Sequence, residues 1–163
     1  MKTLGTRIAI FVASALIVGL GVLIWQKGEA RRAALQSVSK LASNLANPNS
    51  LELLDSIVMP AAVSDRTPAE QREFIVKALA DEISPEGVQA LKQHAEFGPV
   101  KSVFPNDYSK WCEQAGANPD DCVAFKMERA GISAEVVLLR EGETYRIVRC
   151  NNVKQMADEA KHT

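Results

Sequence analysis

The sequence predicts an α+β fold in which an N-terminal transmembrane helix is followed by helices packed on a curved antiparallel sheet, a cone-like domain. Three observations predict this fold. Residues 8–25 form an apolar run without a charged side chain. Apolar residues then recur at helical spacing to about residue 95, and three β-rich segments separated by Gly-containing turns follow. Helices first and an antiparallel meander afterwards are typical of α+β domains.

The apolar run Ile8–Trp25 has the length of a membrane span. As a helix it is roughly 27 Å long, close to the ~30 Å hydrocarbon thickness of a bilayer. Basic residues flank it on both sides, so the positive-inside rule leaves its orientation open. We expect a retained signal-anchor. The alternatives are a signal peptide cleaved after Ala30 and a buried core helix.

The predicted organisation has four parts: a tail of residues 1–7, a transmembrane segment of residues 8–25, a juxtamembrane helix of residues 26–48 and a cone-like domain of residues 49–163. The part after the membrane region suits one compact domain of ordinary size. The chain has 19 Lys and Arg residues against 20 Asp and Glu residues, a formal net charge of -1. Without a basic field, nucleic acid is not an expected partner.

The first helix signals come directly after the apolar run. Residues 29–46 carry apolar side chains at three- and four-residue spacing, which predicts an amphipathic helix. An Asn-Pro-Asn-Ser sequence then interrupts the pattern. Within it, Asn49 with Glu52 three residues later resembles a capping box, and this predicts a second helix that reaches Val58.

Two further helices begin at Pro-containing caps. Thr67-Pro68-Ala69-Glu70 combines a Thr cap, a Pro at the first helical position and a Glu at the third. The apolar spacing after this cap predicts a helix to about Ile83. Ser84-Pro85-Glu86 predicts another short helix, which Gly98-Pro99 would end.

The remainder of the chain has β character. Residues 100–104 are a short strand candidate, and residues 107–115 predict a brief helix. Three segments rich in apolar and β-branched residues then predict strands, joined by turns at Ala130-Gly131 and Glu141-Gly142: residues 122–129, 133–140 and 144–150. With a three-residue first loop, seven apolar side chains would share one sheet face: Val123, Phe125, Met127, Val137, Leu139, Tyr145 and Ile147.

This order of elements, with the meander CVAFKMER, SAEVVLLREG and TYRIVRCNNV, resembles the nuclear transport factor 2-like superfamily, the cystatin-like α+β cone. The resemblance covers Asn49 to Val153 and lies in element order, without a diagnostic motif. Chains that carry such a domain outside the membrane after one N-terminal span resemble the bitopic assembly components of bacterial type IV secretion. The superfamily also contains enzymes that work inside the cone, so the fold alone does not choose a function.

The three cysteines are too far apart for a zinc ribbon, and we expect neither a metal nor an organic cofactor. A disulfide between Cys112 and Cys122 would pin the small helix to the strand after it, and we expect this bond. Cys150 is then expected to be unpaired, or to take Cys112 instead. Three reduced, buried thiols in a cytosolic domain are the alternative.

The candidate site residues fall into two groups, and no catalytic residue is predicted. Four aromatic side chains near the short strand and the small helix predict a binding surface, with core filling as the alternative: Phe97, Phe104, Tyr108 and Trp111. Tyr145 and His94 are the residues that a pocket inside the cone would use. For His94, a surface position at a helix end is the alternative.

These predictions favour a non-catalytic binding or assembly module of the cell envelope, held in the inner (plasma) membrane by a single span, with its domain periplasmic or extracellular. The expected partners are the membrane and an envelope protein. Two alternatives stay open: a small-molecule binder or enzyme that uses the cone interior, and a membrane-tethered cytoplasmic adaptor. An open pocket lined by an ionisable group would favour the first, and reduced cysteines would favour the second.

Overall fold

A computed structural model of the chain describes residues 26–47, 50, 52–129 and 131–161. The chain divides into two compact units, Met1–Arg32 and Ala33–Thr163. Within the first unit, residues 26–32 are helical, and Arg32 donates a hydrogen bond to the Glu29 carboxylate at 2.7 Å. In the described part of the chain no helix is both long and apolar enough to span a membrane; the predicted span Ile8–Trp25 lies outside that part.

The second unit is an α+β domain with a four-stranded antiparallel sheet, which confirms the predicted fold class at this level. Its first helix, α1, covers residues 33–46. The other helices are α2 (Glu52–Asp55), α3 (Ala61–Ser64), α4 (Pro68–Leu79), α5 (Pro85–His94), α6 (Val100–Val103), α7 (Tyr108–Gln114) and α8 (Val153–Lys161). The strands are β1 (Glu96–Pro99), β2 (Cys122–Arg129), β3 (Ile132–Glu141) and β4 (Thr144–Asn151), in the spatial order β1-β2-β3-β4.

Short hairpins set the register of the sheet. Arg129 at the end of β2 pairs with Ile132 at the start of β3, so only two residues connect these strands. Gly131 in this turn has a φ of 80°, and Gly142 in the β3–β4 turn has a φ of 66°. Glycine adopts these positive φ values without strain, which explains why the chain reverses at the two predicted turns.

The predicted apolar sheet face is wrong for two of its seven members. Ala124 pairs with Val137 and Cys122 pairs with Leu139. Paired residues project to the same side of a sheet, so Val137 and Leu139 lie on the face opposite to Phe125. The two-residue connection causes this difference, because a three-residue loop would shift the register by one position and exchange the faces.

The main core lies between one sheet face and the helices. On this face the rings of Phe97 and Phe125 are adjacent across β1 and β2, with centroids 4.7 Å apart. Helix α5 packs on β2, α8 packs on β3, and the two helices contact each other. Their approach depends on Gly87, since a Cβ at this position would lie 2.4 Å from the carbonyl oxygen of Val153.

Helices α6 and α7 cover part of the opposite face, whereas the sequence predicts helices on one side only. Phe104 and Trp111 meet edge to face, with ring centroids 4.6 Å apart. Their cluster is buried against β2 and β3 and has eight members: Val100, Val103, Phe104, Trp111, Cys112, Cys122, Ala124 and Val137. The sheet therefore has a large core on one face and a smaller aromatic core on the other.

Four element predictions differ from the structure. The helix predicted to reach about Ile83 is α4, which ends at Leu79. The strand predicted at residues 100–104 is helix α6, whose buried Val100 and Val103 have helical spacing, and β1 comes before it. The helix predicted to reach Val58 ends at Asp55, because Ile57 instead forms a parallel bridge to β4. Helix α8 has no counterpart among the predicted elements. Its predecessor Asn152 donates its backbone N–H to the Glu82 carboxylate at 2.6 Å.

Candidate functional site

A cleft of about 470 Å³ opens between α1, the end of α2 and the β3–β4 hairpin. Its volume lies within the range of roughly 300–1,000 Å³ that is usual for ligand sites. Its lining is more polar than usual, because no aliphatic side chain contributes and Tyr145 is the single aromatic one among the following: Ser37, Lys40, Asp55, Ser56, Glu141, Thr144, Tyr145 and Arg146. We call this site the β4 cleft.

One wall of the β4 cleft is formed where the chain leaves α2 and runs beside β4. Ile147 donates its backbone N–H to the Ser56 carbonyl oxygen at 2.9 Å, and it accepts from the Val58 N–H at 2.9 Å. Residues 56–58 therefore act as a very short fifth strand, parallel to β4. This segment covers the outer edge of β4 at Ile147.

The edge of β4 is open two residues earlier, at Tyr145. Successive residues of an antiparallel strand direct their backbone groups alternately to one side and to the other. Because both backbone groups of Ile147 point away from β3, the N–H and C=O of Tyr145 do so as well. No described residue forms a hydrogen bond with these two groups. Tyr145, which lines the β4 cleft, thus has a backbone donor and a backbone acceptor that no described residue uses.

Two ion pairs border the β4 cleft. The Lys40 ammonium lies 3.0 Å from the Glu52 carboxylate, and both side chains are more than half exposed. Arg146 lies 3.2 Å from Glu141 and also donates to the Ile57 carbonyl oxygen at 2.6 Å. Exposed pairs of this kind contribute about 0–1 kcal/mol. They can therefore open at little cost in free energy when a ligand offers other charges.

Two charged groups of the lining have unused capacity. Asp55 forms no ion pair or hydrogen bond through its carboxylate within the described part of the chain. The Nε of Arg146 is buried and has no hydrogen-bond partner in the same part of the chain, which is uncommon for a buried donor. With Lys40 and Glu141, the lining has two cations and two carboxylates. This balance favours a neutral or zwitterionic ligand.

The two predicted pocket residues lie in different places. Tyr145 is 6% exposed and lines the β4 cleft. His94 is the exposed last residue of α5 and lines a separate hollow of about 220 Å³ with Met127 and Met156. The fold therefore brings Tyr145, but not His94, to the β4 cleft, and the two side chains do not form one site.

The four aromatic residues predicted as a binding surface are mostly interior. Phe97, Phe104 and Trp111 are only 6–7% exposed, whereas Tyr108 is half-buried. The guanidinium of Arg149 lies 5.2 Å from the centroid of the Trp111 ring, which shields the small core from solvent. These rings support the fold from both sides of the sheet, and their contact with a partner stays a prediction.

The structure has no disulfide between Cys112 and Cys122, in contrast to the prediction. All three cysteines are free, buried thiols. Cys112 and Cys122 nevertheless meet in the small aromatic core. Burial, together with a hydrogen bond to Cys112, raises the pKa of the Cys122 thiol to about 12. Burial and the nearby Glu82 charge raise the pKa of Cys150 to about 12. Buried thiols pack like small apolar groups, so this core holds without a covalent bond.

The sequence points to Tyr145 but not to its neighbours in the β4 cleft. Ser37 and Lys40 are three residues apart on α1 and thus share one helix face, but polar residues at that spacing usually mark a solvated face. Asp55 and Ser56 come into place through the bridge between Ile57 and β4, which joins segments about ninety residues apart in sequence. Only the fold shows this long-range contact.

The comparisons with known proteins add no family to this description. No protein-family model matches the chain, and neither the curated proteins nor the solved structures contain a match. The resemblance to the nuclear transport factor 2-like superfamily therefore stays a prediction. The candidate site rests on the geometry of the β4 cleft.

Proposed function

We propose that this chain is a single-pass membrane protein whose α+β domain binds an envelope partner through the β4 cleft, on the outer side of the plasma membrane. It acts as a binding or assembly module and not as an enzyme. The observation that carries the proposal is the cleft itself, with an open sheet edge at Tyr145 and a rim of balanced charges. The cone-like, nuclear transport factor 2-like fold belongs to the same proposal.

The rim of the β4 cleft supports binding in a simple physical way. Lys40 and Arg146 hold exposed or half-exposed carboxylates that a ligand can replace, and Asp55 offers a charge that no described residue uses. The unused backbone groups of Tyr145 add direction to the contact. Charges at a rim affect specificity and the rate of association more than affinity, as suits an assembly module.

The membrane anchor in this proposal is Ile8–Trp25, which has the length and composition of a span. An anchor would confine the domain to the membrane surface and raise its effective concentration toward partners held in the same membrane. Weak contacts in the β4 cleft would then suffice for assembly. No cofactor and no nucleic acid takes part in the proposed function.

A membrane-tethered cytoplasmic adaptor is the second candidate, and one specific observation favours it. Cys112, Cys122 and Cys150 are free thiols, the state that a reducing compartment maintains. The same β4 cleft would then face cytoplasmic partners. A direct labelling experiment distinguishes the two locations.

Location is tested with the full chain carrying Gln93→Cys, a new thiol at an exposed position of α5. A membrane-impermeant maleimide should label it in intact spheroplasts, whereas labelling only after lysis would establish the cytoplasmic adaptor. The unsubstituted chain is the control for its three buried thiols. Carbonate extraction should leave the chain in the membrane pellet, and its release into the supernatant would contradict the anchor.

Binding is tested with a photo-crosslinking amino acid at Thr144, an exposed residue of the β4 cleft. The same amino acid at Gln93, exposed on α5, is the matched control. One defined crosslinked product at Thr144 and none at Gln93 is the expected result. Equal products at the two positions, or none at Thr144, would contradict the proposed function.

A further inference from the structure

The open strand edge defines the class of partner: we infer that an extended polypeptide segment of a partner protein binds in the β4 cleft by adding a strand to β4 at Tyr145. This inference rests on the proposed function, because it assigns a ligand to the same cleft. It goes further by stating which atoms form the contact and in which conformation the partner binds.

The backbone at the outer edge of β4 indicates how the ligand binds. The outer edge of β4 already accepts an extended chain at Ile147, where residues 56–58 form two backbone hydrogen bonds at 2.9 Å. Tyr145 presents the same pair of groups on the same side, and no described residue uses them. A ligand backbone accepts a hydrogen bond from the Tyr145 N–H and donates one to its C=O. Strand addition of this kind derives its affinity from the main chain.

The side chains around the open edge indicate the composition of the ligand. Alternate residues of an extended segment project to opposite sides. The lining of the β4 cleft includes Lys40 from α1, and Arg146 and Glu141 from the hairpin. The ligand is therefore a polar segment with little net charge, whose side chains can pair with both signs at the rim.

The surroundings of the edge favour a single extended segment over the sheet edge of a second copy of this chain. An exposed strand edge pairs readily with another sheet edge, and proteins avoid this by covering it. Here residues of α1 line the cleft beside Tyr145, and residues 56–58 already cover the edge at Ile147, so the unpaired part of the edge is short and suits a single segment better than a second sheet. The polar lining also differs from the mostly apolar sites that bind small molecules.

The probe for this inference is a displayed library of random peptides, selected on the purified full-length chain in detergent. Synthetic peptides from this selection are then titrated against two variants of α1. Ser37→Trp fills the β4 cleft and should weaken binding by about tenfold or more. Ser39→Trp, exposed on the same helix outside the cleft, should leave the affinity unchanged. Thr144→Trp, from the opposite wall, provides a second test should Ser37→Trp not fold.

Hydrogen exchange identifies strand addition. A bound peptide should slow exchange of the Tyr145 amide by about tenfold or more, because the amide gains a hydrogen bond. Affinity that is equal in the wild-type chain and in both cleft variants would overturn the inference, since the peptides would then bind elsewhere. If Ser37→Trp lowers the affinity for the peptide but bound peptide does not slow exchange of the Tyr145 amide, strand addition is overturned. Dimerisation of the chain driven by the peptide would overturn it as well. A selection without specific peptides would also overturn it.

The two proposals fail in distinguishable ways. A defined crosslink at Thr144 without peptide binding would retain the proposed function and reject the extended ligand. Absence of both the crosslink and peptide binding would reject both proposals. A third outcome combines peptide binding in the β4 cleft with labelling of Gln93→Cys only after lysis. This outcome would support the extended ligand and would place the domain in the cytoplasm.

Discussion

The α5–α8 contact and the β4 cleft belong to the same domain but are packed in opposite ways. At the α5–α8 contact the helices are so close that a Cβ on Gly87 would lie 2.4 Å from the Val153 carbonyl oxygen. The β4 cleft, between α1 and the β3–β4 hairpin, leaves about 470 Å³ unfilled. Small and apolar side chains form the first region, whereas polar and charged side chains line the second.

This difference separates the part of the domain that stabilises the fold from the part that is free to bind. Apolar burial contributes about 25 cal/mol per Å² removed from water, so the closed side carries most of the stability. The exposed pairs of the cleft contribute about 0–1 kcal/mol each. Substitutions in the two regions should therefore differ in what they change: the free energy of unfolding in one, and binding in the other.

The largest expected effect is in the main core. Phe125 is fully buried and its ring lies 4.7 Å from that of Phe97, so Phe125→Ala should lower the free energy of unfolding by about 3–5 kcal/mol. Phe74→Ala is the comparison, because Phe74 is 38% exposed on α4, and it should cost clearly less than Phe125→Ala. Denaturant unfolding measures both. Similar losses for the two variants would contradict the assignment of the core.

The next effect concerns the helix contact itself. Gly87→Ala forces a methyl group against the Val153 backbone, and it should cost about 1–3 kcal/mol despite the higher helix propensity of alanine. Gln93→Ala, on the exposed side of the same helix, should stay within about 0.5 kcal/mol of wild type. Thermal unfolding measures the stability of both variants relative to wild type. A Gly87→Ala variant as stable as wild type would show that α5 and α8 are not in close contact.

A smaller effect is expected at the exposed helix α4. Thr67 caps this helix by accepting from the Glu70 N–H, while the Glu70 carboxylate accepts from the Thr67 N–H at 2.9 Å. Thr67→Ala should therefore cost about 1 kcal/mol. Denaturant unfolding of the variant beside wild type measures this loss, and an unchanged midpoint would contradict the cap.

The same cap predicts a pH dependence. Hydrogen bonds from Thr67 hold the pKa of Glu70 below its ordinary value of 4.5. Its contribution is then fully present above pH 4.5 and is lost as the pH falls through the lower folded-state pKa. The protection of the first-turn amides of α4, taken relative to the exchange rate of an unfolded chain at the same pH, should fall in that acid range. Glu70→Gln should abolish this acid response, whereas Glu73→Gln, exposed on the same helix, should keep it.

The smallest expected effect lies in the β4 cleft. Lys40→Ala removes the 3.0 Å pair with Glu52, whose two side chains are 54% and 61% exposed, and it should change the free energy of unfolding by less than about 1 kcal/mol. Arg146→Ala should cost more, because Arg146 also holds the Ile57 carbonyl oxygen. Denaturant unfolding compares the two. A large loss of unfolding free energy for Lys40→Ala would show that the rim of the β4 cleft stabilises the fold, and it would contradict the difference between the two regions.

The sequence predicts the elements of this fold well where a local signal determines them. The capping box at Thr67 begins α4 as expected, and the three strands of the meander differ from their predicted bounds by at most one residue. Caps, turn glycines and β-branched runs act over a few residues, so they can be recognised without the fold. The α+β class follows from the order of these local signals.

Predictions fail where distant residues decide the outcome. Helix α8 is the exception, since its buried Val153, Met156 and Ala157 recur at helical spacing, so its local signal is present although no helix is predicted there. The register of β2 and β3 depends on one residue of loop length. The β4 cleft arises from the contact between Ile57 and Ile147, which only the folded chain shows.

Hydrogen exchange of two β4 amides in the full-length chain, without any ligand, measures whether the edge of β4 is open at Tyr145. The account predicts slow exchange for Ile147, which donates to the Ser56 carbonyl oxygen at 2.9 Å, and much faster exchange for Tyr145, whose amide lies at the open edge. The two amides are neighbours on one side of one strand, so each controls for the stability of the other. Equal protection at both positions would show that the edge is closed and would contradict the binding site proposed in the β4 cleft.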